Sequence, residues 1–497
     1  MSTTLGSHRR ERLAGQTALA VGATLAATVT ASLIVSGHEI LAVCVCGALP
    51  LSLAVSSAGL PVLAALVLLL MLDGVPGVNL QSLNSHGAFQ FPDAGAVVLI
   101  VLAGARMIFG HRIATDKLAR WLLGSSTILL VFWVVAFIRG LNHGVPPLQS
   151  ALLGRDFLFF AILAPLAPWL IQSRAEARRF IAVLGVAAVA YALGEIGASL
   201  HLVSPAVLNA QSTLSVSSLT RVYAPMNDLI ALTFPFALGV ALVGSGTEAR
   251  MATVVSVITG LAVTLQLTRA LYIGLVVGLL VALLLWSRRV VPDARRLRRR
   301  FALVTLGTIV SIAATALLAP ELLATSAVQA VVDNASQGLA SLTGGQVANN
   351  TFQYRIGLAQ SMIGVLGGHW LFGLGFLHPS TVYFAQLPGG SIRNADVGVL
   401  NGVMTMGVLG TLCIYFPVLV GLRATWRAAR REDAWSRLAL GAMMWLISIL
   451  VASVTLTTLF STTGLVLVAV MIGLLVRVSA DNTDGRAASS ASGPGAI

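Results

Sequence analysis

Apolar runs, most of them close to 20 residues long, follow one another along nearly the whole chain. An α-helix of that length crosses about 30 Å of hydrocarbon. The pattern predicts fourteen membrane-spanning helices; the second and third runs are short, and a re-entrant pair is the alternative for them. The predicted spans are 14–36, 39–56, 58–72, 95–110, 121–138, 156–172, 180–200, 227–244, 251–267, 271–286, 302–319, 397–421, 438–458 and 462–477.

The composition agrees with a membrane protein. The chain is 57% hydrophobic and 10% charged, whereas soluble domains contain about 25% charged residues. We therefore predict an all-α polytopic integral membrane protein and not two or three soluble domains. The net charge of +13 does not indicate a nucleic-acid partner, because the basic residues lie in short patches between apolar runs. The three cysteines lie in apolar runs, so neither a disulfide framework nor a metal site is predicted.

Basic residues orient the predicted helices. Cytoplasmic segments of membrane proteins are enriched in Lys and Arg, and most of the 31 basic residues fall on one side if the N-terminus is cytoplasmic. A shift by one helix would place the RRLRRR run at 295–300 outside. Both termini are therefore predicted to be cytoplasmic.

This orientation divides the chain into five parts. Residues 1–13 form a cytoplasmic N-terminus, and 14–319 contain the first eleven membrane helices. A large extracytoplasmic loop covers 320–396, the last three helices cover 397–477, and a polar tail at 478–497 is predicted to be disordered.

Some arginines remain on the side where arginine is otherwise avoided, and these arginines are candidate functional residues. Most of the eight histidines lie on that same side. The arginines are Arg139, Arg155, Arg221, Arg269, Arg355 and Arg393, and the histidines are His38, His86, His143, His201, His369 and His378.

Two of these arginines lie close to predicted helix ends. Arg221 precedes Asn227, which is either a helix cap or a functional residue. Arg269 lies in a tight Thr-Arg-Ala turn between two apolar runs. It is either a snorkelling side chain or, as we favour, a functional one, because ionisable groups at membrane depth are usually functional. Glu195 lies within a span, where it either pairs with an arginine or lines a cavity.

The long loop contains a second set of candidates. Apolar residues at helical spacing in FQYRIGLAQSMIGVL predict a helix with Arg355 in its first turn. Gly373 and Gly375 allow a close backbone approach. Arg393 and Asp396 lead into the span at 397–421, where Asp396 is either an N-cap or a general base.

In this order and spacing, the motifs resemble those of the bacterial O-antigen ligase and Wzy-type polysaccharide polymerase family. The resemblance covers mainly residues 215–415 and has four parts. They are Arg221 with Pro225 and Asn227, the turn at Thr268 and Arg269, Arg355 followed by HWLFGLG at 369–375, and Gly407 with Gly410. Trp370 stands where proline is common. Asp396 stands where the family has a histidine that activates the acceptor.

The resemblance implies a membrane glycosyltransferase of the bacterial plasma membrane. Its donor would be a glycan linked through diphosphate to a polyprenyl chain, and its acceptor a glycan or a lipid, among membrane lipids. By this resemblance Arg269 and Arg355 clamp the diphosphate, Arg221, Arg393 and Asn227 bind substrate, and Asp396 takes the role of base. No metal, other cofactor or nucleic acid is expected.

Two other functions remain open, a lipid-linked oligosaccharide flippase or other exporter, and a non-enzymatic scaffold or receptor. Transporters tend to contain repeats and broken helices, which are not evident here, and solitary arginines on the depleted side argue against a scaffold. The frequent Ala, Val and Gly, and Arg in preference to Lys, are typical of a high-GC bacterium such as an actinobacterium. In a cell without lipopolysaccharide, a polymerase is favoured over a ligase.

Overall fold

The computed structural model describes residues 59–72, 90–109, 117–208, 212–216, 219–224, 226–266, 269–287, 351–377, 398–430, 434–454 and 461–480. These residues form twelve α-helices, a short 3-10 helix at Pro205–Leu208 and one two-stranded hairpin. The helices are α1 (Leu60–Met71), α2 (Phe91–Phe109), α3 (Lys117–Asn142), α4 (Pro147–Leu170), α5 (Arg174–Ser199), α6 (Asn227–Val243), α7 (Gly246–Leu265), α8 (Arg269–Ser287), α9 (Thr351–Leu366), α10 (Gly398–Ala429), α11 (Ala434–Ala452) and α12 (Thr462–Ala480). The antiparallel hairpin pairs β1 (Ser212–Val216) with β2 (Leu219–Tyr223).

The all-α polytopic membrane fold is confirmed, with the hairpin as an unpredicted addition. Eight of the described helices are long and apolar enough to cross a membrane, and shorter apolar helices accompany them. Described helices coincide with all predicted spans except 14–36, 39–56 and 302–319, which lie outside the described residues. The total of fourteen therefore stays a prediction. Helix α12 continues to Ala480, beyond the predicted end of the last span at 477.

Helix α12 lies at the centre of the bundle. Nearly every residue from Thr462 to Ser479 is buried, and the helix packs against α4 and α10. The contact with α4 is close at Gly473, where a Cβ would lie 2.4 Å from Ala167 Cβ. Small residues allow membrane helices to approach one another closely.

Helix α8, which begins with the candidate Arg269, packs along α11. A Cβ at Gly274 would lie 2.6 Å from the Ser448 carbonyl oxygen, and one at Gly278 would lie 2.4 Å from the Met444 carbonyl oxygen. The backbones are therefore in direct contact over one turn, which fixes the height of α8 in the bundle.

The bundle has two ends, because successive helices run in opposite directions. We call one the loop end; it carries residues 143–146, 200–208, the hairpin at 212–216 and 219–224, residue 266, and α9 with residues 367–377. We call the other the basic end. It contains the ion pairs of Arg106 with Glu176 at 2.8 Å and of Arg437 with Glu248 at 2.7 Å. The described arginines at the loop end are Arg139, Arg155, Arg221, Arg269 and Arg355; the other described basic residues belong to the basic end.

Candidate functional site

The hairpin joins the loop end of α5 to the start of α6. Arg221 lies in β2, paired with Leu214 of β1. The Asn227 Nδ2 atom donates a hydrogen bond of 3.0 Å to the carbonyl oxygen of Val222, also in β2. Helix α6 begins at Asn227 as predicted, but the N-cap position is Met226 and has no side-chain cap hydrogen bond. The capping interpretation of Asn227 is therefore wrong, since its side chain instead ties the hairpin to the helix.

The segment before the hairpin is also fixed to α5. The hydroxyl of Tyr191 donates a hydrogen bond to the carbonyl oxygen of Leu208, in the 3-10 helix. Both residues are buried, and β2 packs on the same helix. The backbone of Arg221 is thus held over the loop end of α5.

The turn between α7 and α8 carries Arg269, the first residue of α8. Tyr272 donates a hydrogen bond across this turn to the carbonyl oxygen of Thr264. Below it, Glu195 of α5 is fully buried and accepts a 3.3 Å hydrogen bond from Gln266 Nε2. Glu195 therefore faces this turn and not the lipid, and its described partner is an amide in place of the arginine considered from the sequence.

Helix α9 is the helix predicted within the long loop, and it packs onto the loop end. Leu358, Met362 and Leu366 form its buried stripe. They belong to one cluster with Val145 of the turn between α3 and α4 and with residues of α10 and of the loop that follows α9. Arg355 belongs to the first half of α9, ahead of this stripe. The bundle thus positions the backbone that carries Arg355.

Residues 369–377 dock onto a break in α10. At Gly407 the helix has φ 72° and ψ 179°, so its regular hydrogen bonding is interrupted there. Leu374 N donates to Met404 O at 2.7 Å and Gly375 N to Thr405 O at 3.0 Å. In return, Val408 N donates to the Trp370 carbonyl oxygen at 2.8 Å. The loop therefore satisfies backbone groups that the break in α10 leaves open.

Three glycines make this docking possible. Gly373 and Gly375 have φ of 68° and 95°, in the left-handed region that glycine favours. A Cβ at Gly373 would lie 2.5 Å from Gly407 N, and one at Gly375 would lie 2.6 Å from the Ala136 carbonyl oxygen. The close backbone approach predicted at Gly373 and Gly375 is confirmed: Gly373 lies against Gly407 of α10, and Gly375 lies against α3.

A basic cluster lies where this loop meets the end of α3. Arg139 Nη2 and His369 Nδ1 are 2.8 Å apart. Because a guanidinium has donors only, Nδ1 is the acceptor, and the proton of the neutral imidazole lies on Nε2. Burial, followed by the positive charge of Arg139 and the proximity of His369, lowers the pKa of His143 below 6.5. The sequence predicted that these residues share one side of the membrane but did not identify them as a cluster.

A second charged group is structural. Arg155 of α4 forms ion pairs with Asp93 of α2 at 3.1 Å and with Asp156 at 3.6 Å. Thr462, at the start of α12, donates to Asp156 Oδ1. Asp93 is fully buried and Arg155 nearly so, so this arginine joins three helices and is committed to carboxylates.

The backbone brings the predicted residues to one end of the bundle in two groups. Arg221 and Asn227 lie on elements packed on α5, and Arg269 begins the helix after α7, which also packs on α5, whereas Arg355 lies on α9 against α10. Arg393 and Asp396 lie outside the described residues, so their roles stay predictions. No cluster of three or more His, Cys, Asp or Glu that could hold a metal ion occurs in the described part of the chain.

Comparison with known sequences agrees with the resemblance seen in the motifs. Residues 254–415 match the O-antigen ligase family, and this segment contains the α7–α8 turn, α9, the docked loop and the break in α10. A search of curated proteins found no match. The predicted resemblance is confirmed: over residues 254–415 this polytopic membrane protein is similar to the O-antigen ligase family, which implies a polysaccharide ligase or polymerase.

Proposed function

We propose that the protein is a membrane glycosyltransferase that polymerises or ligates a polyprenyl-diphosphate-linked glycan at the loop end. The observation that carries the proposal is the family match over residues 254–415, which includes both Arg269 and Arg355. The backbone of both residues lies at the loop end, where positive charge is otherwise sparse. Arginine on the side that membrane proteins deplete of it needs an anionic partner.

The reaction is a displacement at the anomeric carbon of the donor sugar. The acceptor hydroxyl oxygen forms the new glycosidic bond, and the bond from that carbon to the diphosphate oxygen breaks. Its electron pair stays on the diphosphate, while the hydroxyl proton passes to a base, for which Asp396 is the candidate. Arg269 and Arg355 stabilise the charge that develops on the leaving diphosphate. Arginine suits this role because its planar fork matches phosphate oxygens and keeps its charge at a dry boundary.

Arg221, Asn227 and Arg393 are proposed to bind the remainder of the substrate. The hydrogen bond from Asn227 to Val222 holds β2 against the start of α6, which supports Arg221 as part of a fixed surface. Rigid support matters because catalytic groups lose efficiency when their geometry is loose.

Glu195 is proposed to position the turn that carries Arg269. Its bond to Gln266 lies three residues before the arginine and is fully enclosed by protein. Tyr272 closes the same turn from the other side. A turn held at both ends presents the arginine without rearrangement when the donor arrives.

The test is reconstitution of the full-length protein in vesicles with a polyprenyl-diphosphate-linked glycan, with product length read on a gel. Arg269→Ala and Arg355→Ala should each lower chain extension by about a hundred- to a thousandfold. Lysine at either position should restore only part of the activity, since a point charge does not reproduce the bidentate geometry. Arg178→Ala is the matched control, because Arg178 is exposed at the basic end.

The outcomes separate the proposed enzyme from the alternatives. Wild-type extension in both alanine variants would refute the diphosphate clamp. A wild-type protein that moves the lipid-linked glycan across the vesicle membrane without making a new glycosidic bond would be a flippase. Transfer to a different lipid acceptor, in place of chain growth, would identify a ligase.

A further inference from the structure

We propose that Arg139 and His369, together with the apolar loop tip at Trp370–Phe372, form a second site at the loop end that binds the phosphate group of a lipid. The role of this site as the acceptor site rests on the proposed function, whereas its binding of a lipid phosphate does not. The site lies on α3 and the docked loop, apart from the α7–α8 turn that carries Arg269.

The polar part of this site offers donors and no acceptor. Arg139 engages His369 Nδ1 through Nη2, which leaves the imidazole with its proton on Nε2. In this arrangement His369 cannot accept a proton at either nitrogen without breaking the bond to Arg139. The pair therefore suits an anion and not the role of general base.

The charge of Arg139 lacks a counter-ion within the described residues. Its only described polar partner is a neutral imidazole, and its Nε atom is buried without an acceptor among the described residues. A buried donor left without a partner is unfavourable, more so when it is charged. Arg155, in contrast, is paired with carboxylates at the same end of the bundle. Arg139 is thus open to an external anion.

The apolar part of the site continues directly from the polar part. Trp370, Leu371 and Phe372 follow His369 and remain 39%, 58% and 41% exposed, although the neighbouring backbone is buried against α10. Phe372 stacks on Phe132 of α3, with ring centroids 6.2 Å apart. An anion site bordered by exposed apolar side chains at a membrane boundary fits an amphiphile with a phosphate head and a hydrocarbon chain.

A second lipid-phosphate site has a clear use in the proposed reaction. A polymerase that joins two lipid-linked glycans must hold two lipid diphosphates at once, one as donor and one as acceptor. The Arg269 and Arg355 pair would hold the donor, and Arg139 with His369 would hold the acceptor. A ligase that transfers the glycan to an acceptor without a lipid diphosphate would not need this second site.

The test measures binding to the purified full-length protein in a non-ionic detergent. Arg269→Ala and Arg355→Ala are combined as the background, so that the proposed donor clamp does not contribute. Three probes are titrated: farnesyl diphosphate, inorganic diphosphate and a short-chain phosphatidylglycerol. We expect farnesyl diphosphate to bind this background more tightly than inorganic diphosphate, because its chain contacts the loop tip.

Substitutions then separate the two parts of the site. Arg139→Gln should weaken farnesyl diphosphate and inorganic diphosphate alike, by about ten- to a hundredfold. Leu371→Ser should weaken farnesyl diphosphate alone, by about three- to tenfold. The matched controls are Arg178→Gln at the basic end and Leu412→Ser on α10, whose side chain is also 58% exposed. If Arg139→Gln does not accumulate, the exposed His369→Ala carries the same test.

Each outcome decides one point. If Arg139→Gln and His369→Ala bind farnesyl diphosphate as tightly as the background protein does, the proposed site is overturned. The proposed function is tested separately, by chain extension in the Arg269 and Arg355 variants. Full extension in those variants would overturn the proposed function and leave lipid-phosphate binding at Arg139 in place. Equal affinity for phosphatidylglycerol would assign the site to bilayer lipid and overturn its acceptor role.

Discussion

The docking of residues 369–377 onto α10 predicts a large effect of one added methyl group. Gly407→Ala would place a Cβ 2.2 Å from the carbonyl oxygen of Leu371 and 2.4 Å from Phe372 N. Both atoms belong to the loop backbone, so side-chain rotation cannot relieve the clash. The backbone at this position, with φ 72° and ψ 179°, is also one that residues other than glycine rarely adopt.

The magnitude follows from these two costs. A residue other than glycine in such a conformation costs about 1–3 kcal/mol, and overpacking adds about 1–3 kcal/mol, which gives about 4 kcal/mol together. Four backbone hydrogen bonds hold the loop, donated by Leu374, Gly375, Phe376 and Val408. At about 1 kcal/mol net each, they contribute about as much as the substitution costs. We therefore expect the loop to undock, with a shift in the docking equilibrium of about a thousandfold.

Hydrogen exchange of the purified protein, read by mass spectrometry, measures this directly. In the wild-type protein the amides of Leu374 and Gly375 should be protected, and in Gly407→Ala they should exchange up to about a thousandfold faster. The control is Gly364→Ala in α9, because a Cβ there has no atom within 4 Å and alanine favours a helix. Unchanged protection in Gly407→Ala would show that the loop is not held by the break in α10. A protein that loses protection throughout the bundle would show a general loss of folding instead.

Two further predictions concern charged groups at the loop end. Arg155→Met leaves the buried carboxylate of Asp93 without its counter-charge, so the free energy of unfolding in detergent should fall by about 3–5 kcal/mol. Arg178→Met is the control and should have little effect. Equal melting curves for the two variants would refute the structural role of the Arg155 ion pairs. Arg139→Gln should raise the pKa of His143 towards 6.5 in an NMR titration, because one of the causes that lower it is removed while burial remains. The pKa of His143 is lower in the folded protein than in the unfolded chain, so the free energy of unfolding falls as the pH drops below 6.5. Because Arg139→Gln reduces this difference in pKa, the variant should lose less stability over the same pH range. A pKa that stays constant or falls would contradict the assigned electrostatic contact.

Much of the bundle was predictable because membrane insertion imposes a simple requirement on sequence. A span must be long and apolar whatever its neighbours are, so each run can be identified by itself. The helix that carries Arg355 is not a span, and it was located from the helical spacing of its apolar residues. The start of α6 at Asn227 was located from a local capping signal. The predicted cap at Asn227 failed because local sequence does not reveal that a neighbouring strand offers a carbonyl oxygen for its amide.

The grouping of the candidate arginines was predictable, and their contacts were predictable only in part. The described solitary arginines lie together at one end of the bundle, because charge placement obeys a rule for the whole membrane side. The same rule does not distinguish Arg155, which is bound by Asp93, from Arg139, which has no carboxylate partner among the described residues. Which arginine is available depends on helix packing and not on sequence position.

The sequence by itself determined the membrane class, the helical fold, the grouping of the described solitary arginines at one end of the bundle and the resemblance to O-antigen ligases. These follow from properties that each segment has alone, namely apolar length, charge and motif spacing. Tertiary structure decided that Gly373 lies against the break at Gly407 and that Arg139 meets His369, 230 positions further along the chain. Such contacts depend on which helices are neighbours and at what height they meet, and only the packed bundle specifies both.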